Sequence, residues 1–104
     1  MTYTIKLSDE AKARLIKFNK SDKGTKREIE NKFRIIVEEP YHFKVLRGEL
    51  HDARSAKVGN YRIIYDILED EKKVFILYFG HRDDIYTDRK LFRTFKNSPK
   101  RFPS

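Results

Sequence analysis

Cysteine is absent from this chain of 104 residues, and glycine is scarce, with four residues in all. Without cysteine the protein has no disulfide bond, no thiolate nucleophile and no cysteine-based zinc site. The sequence has no glycine-rich loop of the kind that holds nucleotide phosphates, and Ser8, Ser21 and Ser55 lack the strand-to-helix elbow of a serine nucleophile. Any chemistry must therefore come from other side chains.

Long hydrophobic runs are missing as well. The longest apolar stretches span a few residues, and the N-terminus, with Lys6, Asp9 and Glu10, lacks the apolar core of a signal peptide. We therefore expect a cytoplasmic protein with no membrane partner. The length predicts a single domain, residues 1–104, around one modest core.

Positive charge, in contrast, is abundant. The chain has 24 Lys and Arg against 16 Asp and Glu, which gives a net charge of +8 and a pI of about 9.7. Such a protein is attracted to polyanions, because each cation that neutralises a phosphate releases condensed counterions. Charge by itself does not distinguish RNA from DNA, from anionic lipid or from an acidic protein.

The spacing of apolar residues predicts a strand and two helices in the first part of the chain. Residues 3–7 alternate between apolar and polar side chains, as in a first strand. Residues 9–19 then show helical spacing. A second helix is expected to begin at a capping box formed by Thr25 and Glu28 and to end before Pro40.

The rest of the chain predicts a sheet. Residues 41–48 are irregular, a strand is expected to begin near Leu50, and residues 60–69 and 73–80 form strong strands around a hairpin tip at 70–72. The predicted class is α+β, with two N-terminal helices after a first strand packed on a mainly antiparallel, twisted, four-stranded sheet.

The segment 87–104 is a basic tail, part of which is expected to be helical. After Asp88 it contains six Lys and Arg and no acidic residue, interleaved with leucine and phenylalanine. Two interpretations stay open: the tail stacks on bases and contacts phosphates, or it is a docking helix whose charged face is solvated.

The expected hairpin register places two arginines on one face of the sheet. If residues 70–72 form the loop, the residues on either side of it pair, and Arg62 lies opposite Gly80, with Arg82 on the same face. Planar cationic donors around a glycine suit a phosphodiester whose charge grows in the transition state. The opposite face is expected to pack on the helices through Tyr61, Ile63, Tyr65 and Ile67.

Two alternatives compete with a phosphate site. Arg62 and Arg82 can instead form surface ion pairs, with Asp66, Asp83 and Asp84 as the candidate partners, and a two-residue loop would reverse the parity. For a metal, His51 with Asp52, and His81 with two aspartates, supply ligand types, but neither group has helical spacing or a third histidine. We therefore expect no metal.

Three segments together resemble a known family. They read KVLRG at 44–48, KVGNYRIIY at 57–65 and GHRDDIY at 80–86. Their order and spacing resemble the RelE/ParE toxin superfamily, specifically its RelE-like branch. The combination of the second and third segments is more specific than either of these two segments alone. The likeness extends from the first strand to Tyr86 and implies a RelE-like microbial ribonuclease-type fold.

The resemblance also implies a function. RelE-like proteins are toxins of type II toxin–antitoxin systems that enter the decoding site of the ribosome and cut messenger RNA there without metal or other cofactor. The ribose 2′-hydroxyl attacks the adjacent phosphate, leaving a 2′,3′-cyclic phosphate or its 3′-phosphate product and a 5′-hydroxyl. A RelB-like antitoxin with an acidic, amphipathic segment is an expected partner, and operator DNA is expected only through the antitoxin complex.

Site residues follow from the same resemblance. Arg62 matches the arginine that stabilises the phosphate in the transition state, Arg82 the arginine that protonates the leaving 5′-oxygen, and Tyr86 the tyrosine that stacks on the nucleotide. Lys57 falls near the basic residues that take up the 2′-hydroxyl proton. The expected RNA-binding residues are Lys44, Arg47, Arg54 and His81.

The chain departs from the family pattern in the second strand of the motif. The family has closely spaced cations there, whereas Ser55 and Ala56 separate Arg54 from Lys57. The identity of the general base therefore stays open between Lys57 and His81, since imidazole titrates near neutral pH.

Two other functions are compatible with the sequence. One is a ParE-like toxin, which inhibits DNA gyrase by binding and lacks the nuclease residues. The other is a non-catalytic nucleic-acid-binding module that acts as a co-repressor with its antitoxin. The joint presence of two arginines and a tyrosine at the family positions favours the nuclease.

Overall fold

A computed structural model describes residues 3–102. Its helices and strands are, in chain order, β1 (Thr4–Leu7), α1 (Asp9–Ser21), α2 (Lys23–Glu38), β2 (Lys44–Val45), β3 (Arg54–Val58), β4 (Tyr61–Leu68), β5 (Lys73–His81) and α3 (Arg89–Lys96). The predicted α+β class is confirmed. No helix within the described range combines the length and apolar character needed to cross a membrane.

The sheet has five strands in the order β1-β5-β4-β3-β2, not the predicted four. β1 runs parallel to β5, and the other neighbours are antiparallel. The missed strand is β2, which is only two residues long and lies in the stretch that shows no alternation. The strand expected near Leu50 begins at Arg54 instead, because Gly48–Leu50 forms a 3-10 turn.

The caps of the two N-terminal helices explain where each helix begins. Ser8 caps α1 by accepting a hydrogen bond from the backbone N–H of Ala11 at 3.0 Å. The predicted capping box at Thr25 was wrong: Asp22 caps α2 and accepts a hydrogen bond from the Thr25 N–H at 3.0 Å. Aspartate is a strong N-cap, so α2 begins three residues earlier than predicted. It ends before Pro40, as predicted.

Apolar side chains cover both faces of the sheet. On one face α1 and α2 pack against Ile63 and Tyr65, as predicted for that face. On the other face α3 places Leu91 and Phe95 over Ile64. Each such side chain stabilises the fold by roughly 1.5 to 3 kcal/mol when fully buried. The basic segment after Asp88 is therefore a docked helix, and residues 103 and 104 lie outside the described range.

A buried carboxylate fastens the end of the chain to the sheet. Asp66 on β4 is fully buried and accepts hydrogen bonds from Ser98 Oγ, at 2.8 Å, and from Arg101 Nη1. Arg101 also donates to the carbonyl of His51 at 3.2 Å, and its guanidinium lies 3.5 Å from the centroid of the Phe95 ring. The ion pair holds the residues that follow α3 against the sheet.

A surface cluster at the β4–β5 loop gathers around one carboxylate. Glu69 accepts hydrogen bonds from the hydroxyls of Tyr3, at 2.7 Å, and Tyr41, and from the ammonium of Lys72. The Lys72 hydrogen bond and those of the two tyrosines lower the pKa of Glu69 from its ordinary value near 4.5 to about 2. The ionised carboxylate therefore ties together the start of β1, the segment after α2 and the hairpin loop.

This cluster predicts a specific pH dependence of stability. Because the folded pKa of Glu69 lies below its unfolded value, its contribution is present above about pH 4.5 and is lost as the pH falls through about 2. We expect Glu69→Gln to make the free energy of unfolding less dependent on pH between 2 and 5, as measured by urea titrations. Asp70→Asn, which removes an exposed neighbouring carboxylate, is the control. Equal slopes for wild type and Glu69→Gln would contradict the assignment.

Candidate functional site

The register of the β4–β5 hairpin places Arg62 opposite Gly80, as predicted. Two departures from the expected pairing compensate each other. The loop is one residue longer than expected, since Leu68 rather than Glu69 pairs with Lys73, and a β-bulge after Ile64 then shifts the register back by one. Without the bulge Arg62 would pair with Phe79.

Two rows of side chains cross the face of the sheet that is turned away from α1 and α2. Lys57 on β3 lies opposite Arg62 on β4, which in turn lies opposite Gly80 on β5. In the next row Lys44 on β2 lies opposite Ser55 on β3. Directly opposed residues share a face, so both lysines project on the same side as Arg62.

A cleft of about 430 Å³ lies on this face, with Arg62 and Lys44 in its lining, whereas the predicted catalytic residue Lys57 is not among the lining residues. Its walls bring together four of the predicted site residues with two further ones, and the full lining is Lys44, Leu46, Arg62, Arg82, Asp83 and Tyr86. Three cations, an aromatic ring and one acid give the cleft a net positive charge. Such a surface suits a phosphate beside a base that can stack on a ring.

The charges of the two arginines are largely uncompensated. Asp66, a candidate partner, pairs with Arg101 instead. Arg82 Nε lies 3.8 Å from Asp83 Oδ1 with both side chains exposed, a geometry that stabilises little. Within residues 3–102 Arg62 forms no ion pair. Both guanidinium groups therefore retain donors for an anionic ligand.

The two-residue loop between β3 and β4 connects the motif segments. Gly59 adopts φ +56°, a left-handed conformation that glycine takes without a steric penalty, and this allows the tight turn. The carbonyl of the next residue, Asn60, accepts a hydrogen bond from the Arg82 N–H at 2.7 Å. The turn in the second motif segment, residues 57–65, thus anchors the backbone of Arg82 in the third segment.

Tyr86 is held over the cleft by a neighbour that the sequence reading missed. Its hydroxyl donates to Ser55 Oγ at 3.3 Å, while its ring remains 38% exposed. The preceding residue, Ile85, is buried against Gly80. Ser55, which interrupts the cation-rich family pattern, therefore lies on the cleft face, and its alternation with Lys57 was the signal for that placement.

A family match decides the classification. A model described as the ParE toxin of type II toxin–antitoxin systems, parDE, matches residues 5–86, which include the whole of the β3–β5 motif region. The chain belongs to the RelE/ParE toxin superfamily. The resemblance to this superfamily, predicted from the three motif segments, is thereby confirmed.

Individual members of the superfamily agree with this assignment. The chain is 30% identical over 92 residues to a toxin candidate, RelE4, of Methanocaldococcus jannaschii. The aligned region covers 88% of this chain and 98% of that protein. The chain is 31% identical to a chain of the toxin–antitoxin complex RelBE2 from Mycobacterium tuberculosis, with a TM-score of 0.68 over 79% of this chain and 100% of that one. A variant of the Escherichia coli toxin RelE in the free state shares the fold at 19% identity, with a TM-score of 0.69 over 98% and 99% of the two chains.

In this superfamily member three of the expected RNA-binding residues lie outside the cleft. Arg54 points to the face that packs on the helices and donates to the carbonyls of Tyr41, at 2.9 Å, and Phe43, at 2.8 Å. His81 lies opposite Tyr61 on that same face, with ring centroids 5.7 Å apart. Arg47 is exposed beyond β2 and does not line the cleft.

Of the side chains considered for a metal, His81 and Asp83 are neighbours, with Nδ1 3.4 Å from Oδ2, but no third ligand joins them in the described part of the chain. The ring of His51 packs against Phe95, and Nδ1 of His81 accepts the N–H of Asp83 at 3.2 Å. Within residues 3–102 no three histidine, aspartate or glutamate side chains come close enough to hold a metal ion.

A larger cleft, of about 530 Å³, lies between the start of α1 and α3. Its charged lining residues are three cations, Lys6, Lys12 and Arg93, and two acids, Asp9 and Glu10, so charges of both signs face it. Its net positive charge is smaller than that of the cleft over the sheet, and none of the motif residues lines it. The smaller cleft over the sheet is therefore the candidate site.

Proposed function

We propose that this toxin cuts messenger RNA in the decoding site of the ribosome by attack of a ribose 2′-hydroxyl on the adjacent phosphate. The observation that carries the proposal is the placement of Arg62 and Arg82 in one cleft with Tyr86. Two planar cations and an aromatic ring therefore line a single cleft.

Each residue has a distinct part in the proposed step. The bond from the 2′-oxygen to phosphorus forms while the bond from phosphorus to the 5′-oxygen breaks. Arg62 stabilises the charge that grows on the non-bridging oxygens, and Arg82 donates a proton to the leaving 5′-oxygen. Tyr86 stacks on the base and orients the ribose for in-line attack.

Lys57, in its neutral amine form, is the proposed acceptor of the 2′-hydroxyl proton. It lies directly opposite Arg62 on the cleft face, whereas His81, the other candidate base, lies on the face that packs on the helices. Lys44 extends the cationic wall of the cleft and is proposed to contact the RNA backbone.

We further propose that a RelB-like antitoxin binds this chain and that operator DNA is contacted only through that complex. Similar chains occur in the toxin–antitoxin complexes of Mycobacterium tuberculosis and Pyrococcus horikoshii. The net charge of +8 suits a partner with an acidic, amphipathic segment. We place the free toxin in the cytoplasm, where ribosomes translate.

A translation reaction tests the proposed activity. Purified toxin added without antitoxin is expected to shorten the message when ribosomes are translating it, and to leave the same message intact when ribosomes are omitted. Message that stays full length in the presence of ribosomes and toxin would rule out the proposal.

A second candidate function follows from the family match itself, because the matching model describes ParE toxins. A ParE-like toxin would inhibit DNA gyrase by binding. Induction would then cause DNA cleavage complexes to accumulate while messenger RNA stays intact. Retention of Arg62, Arg82 and Tyr86 in one cleft supports the nuclease over this reading.

A further inference from the structure

The outer edge of β5 beside the cleft is covered by a side chain rather than by a strand. β1 pairs with β5 only from Lys73 to Ile76. Beyond that point Arg14, from α1, reaches the edge: its Nη1 donates to the hydroxyl of Tyr78 at 3.1 Å, and its guanidinium carbon lies 5.3 Å from the centroid of that ring. Arg14 thus connects the helix layer to the cleft-bearing part of β5.

Arg14 also lies at van der Waals contact distance from the position that a Cβ atom on Gly80 would occupy. A Cβ atom at Gly80 would lie 3.5 Å from Arg14 Nη2 and 3.7 Å from Cβ and Cγ1 of Ile85. Gly80 is the residue opposite Arg62. The guanidinium of Arg14 therefore lies against the same glycine as the residue that precedes Tyr86.

Tyr78 links Arg14 to the segment that follows β5. Its ring is 1% exposed, and its hydroxyl donates to Asp88 Oδ2 at 3.0 Å. Burial and this hydrogen bond raise the pKa of Tyr78 to about 12, so the hydroxyl keeps its proton at neutral pH. The other oxygen of Asp88 accepts the N–H of Lys90 at 2.9 Å and caps α3.

We propose that Arg14, Tyr78 and Asp88 form a positioning network that fixes the segment carrying Arg82 and Tyr86 over the cleft. That segment is bound at its start, where the Arg82 N–H meets Asn60, and at its end, where Asp88 meets Tyr78. None of the three residues touches the RNA in this account. They act by holding the tyrosine ring and the second arginine at a fixed distance from Arg62, and this role rests on the proposed nuclease function.

Tyr78→Phe and its matched control Tyr65→Phe separate positioning from general stability. Both rings are buried, and both hydroxyls donate one hydrogen bond, Tyr65 to the carbonyl of Pro40 at 2.6 Å on the opposite face. Each substitution is expected to lower the free energy of unfolding similarly. Tyr78→Phe and Arg14→Met, but not Tyr65→Phe, are expected to speed amide hydrogen exchange at Thr87 and Asp88. The N–H groups of these two residues form hydrogen bonds within the segment.

Cleavage kinetics provide the second readout. Single-turnover cutting of messenger RNA on programmed ribosomes is expected to slow about tenfold in Tyr78→Phe and to stay near wild type in Tyr65→Phe, since small misplacements of reacting groups are costly. In a Tyr86→Ala background the additional effect of Tyr78→Phe on the cleavage rate should shrink, because Tyr78 acts in part through the position of Tyr86.

The outcomes are distinguishable. A wild type that cuts no RNA would defeat the proposed function, while hydrogen exchange would still decide whether the network holds the segment. Unchanged exchange at Thr87 and Asp88 in Tyr78→Phe, relative to Tyr65→Phe, would overturn the inference. So would an active wild type whose Tyr78→Phe effect on cleavage is the same with and without Tyr86.

Discussion

Arg62→Ala is expected to slow messenger RNA cleavage by about 100- to 1000-fold while leaving the protein folded. Removing one preorganised donor to a developing oxyanion has a cost of this order in other enzymes. Arg62 lines the cleft, lies opposite Lys57 and Gly80, and forms no ion pair in the described part of the chain that its loss would disturb. The rate is measured in a single turnover on programmed ribosomes.

Two further variants sharpen this test. Arg62→Lys keeps the positive charge but loses the planar pair of donors, so it should recover only part of the lost rate. Arg34→Ala removes an exposed arginine from α2, on the helix side of the sheet, and should cut RNA at the wild-type rate. A folded Arg62→Ala protein that cleaves within threefold of wild type would remove Arg62 from the reaction.

Among the variants proposed here, Arg101→Ala is expected to give the largest loss of stability, about 2 to 3 kcal/mol in the free energy of unfolding. Breaking a fully buried ion pair costs roughly 3 to 5 kcal/mol, and the Arg101 side chain is 18% exposed, which lowers the expected effect. Asp66 is completely buried and would keep Ser98 as its remaining hydrogen-bond donor within residues 3–102. Urea unfolding followed by circular dichroism measures the change.

Its controls use the same region. Lys100→Ala removes the neighbouring exposed cation and should change stability by less than about 0.5 kcal/mol. Adding Asp66→Asn to Arg101→Ala removes the unpaired buried charge. The double variant should therefore be more stable than Arg101→Ala alone. An Arg101→Ala protein as stable as Lys100→Ala would show that the ion pair contributes nothing.

Strand alternation explains why part of the site was predictable. Arg62 and Arg82 were placed on one face by counting along two strands, and the cleft contains both. The count succeeded although the predicted loop was one residue shorter than the observed one, because the bulge after Ile64 restores the register. Bulges depend on tertiary packing and leave no clear pattern in a single sequence.

The same rule shows why other site predictions did not reach the cleft. Arg54 and His81 were assigned from a resemblance in sequence, but each lies one position away from a residue on the cleft face and therefore points to the other side. Ser55 was passed over because it is not a cation, although its position in the strand puts it beneath Tyr86.

The elements that the sequence analysis missed or left open are those that depend on distant partners. β2 is two residues long and exists because Lys44 and Val45 pair with β3. The docking of the basic C-terminal segment depends on Asp66, whose pairing with Arg101 spans 35 positions. Neither contact has a local signature, whereas the helices and the β4–β5 hairpin have strong periodicity.

The chemical ends of the messenger RNA fragments test the central claim most directly. Wild-type toxin added to ribosomes with a defined codon in the decoding site is expected to cut within that codon. The downstream fragment should carry a 5′-hydroxyl and the upstream fragment a 2′,3′-cyclic phosphate or 3′-phosphate, with no cut by Arg62→Ala over the same time. A 5′-phosphate on the downstream fragment, or an intact message, would contradict the account.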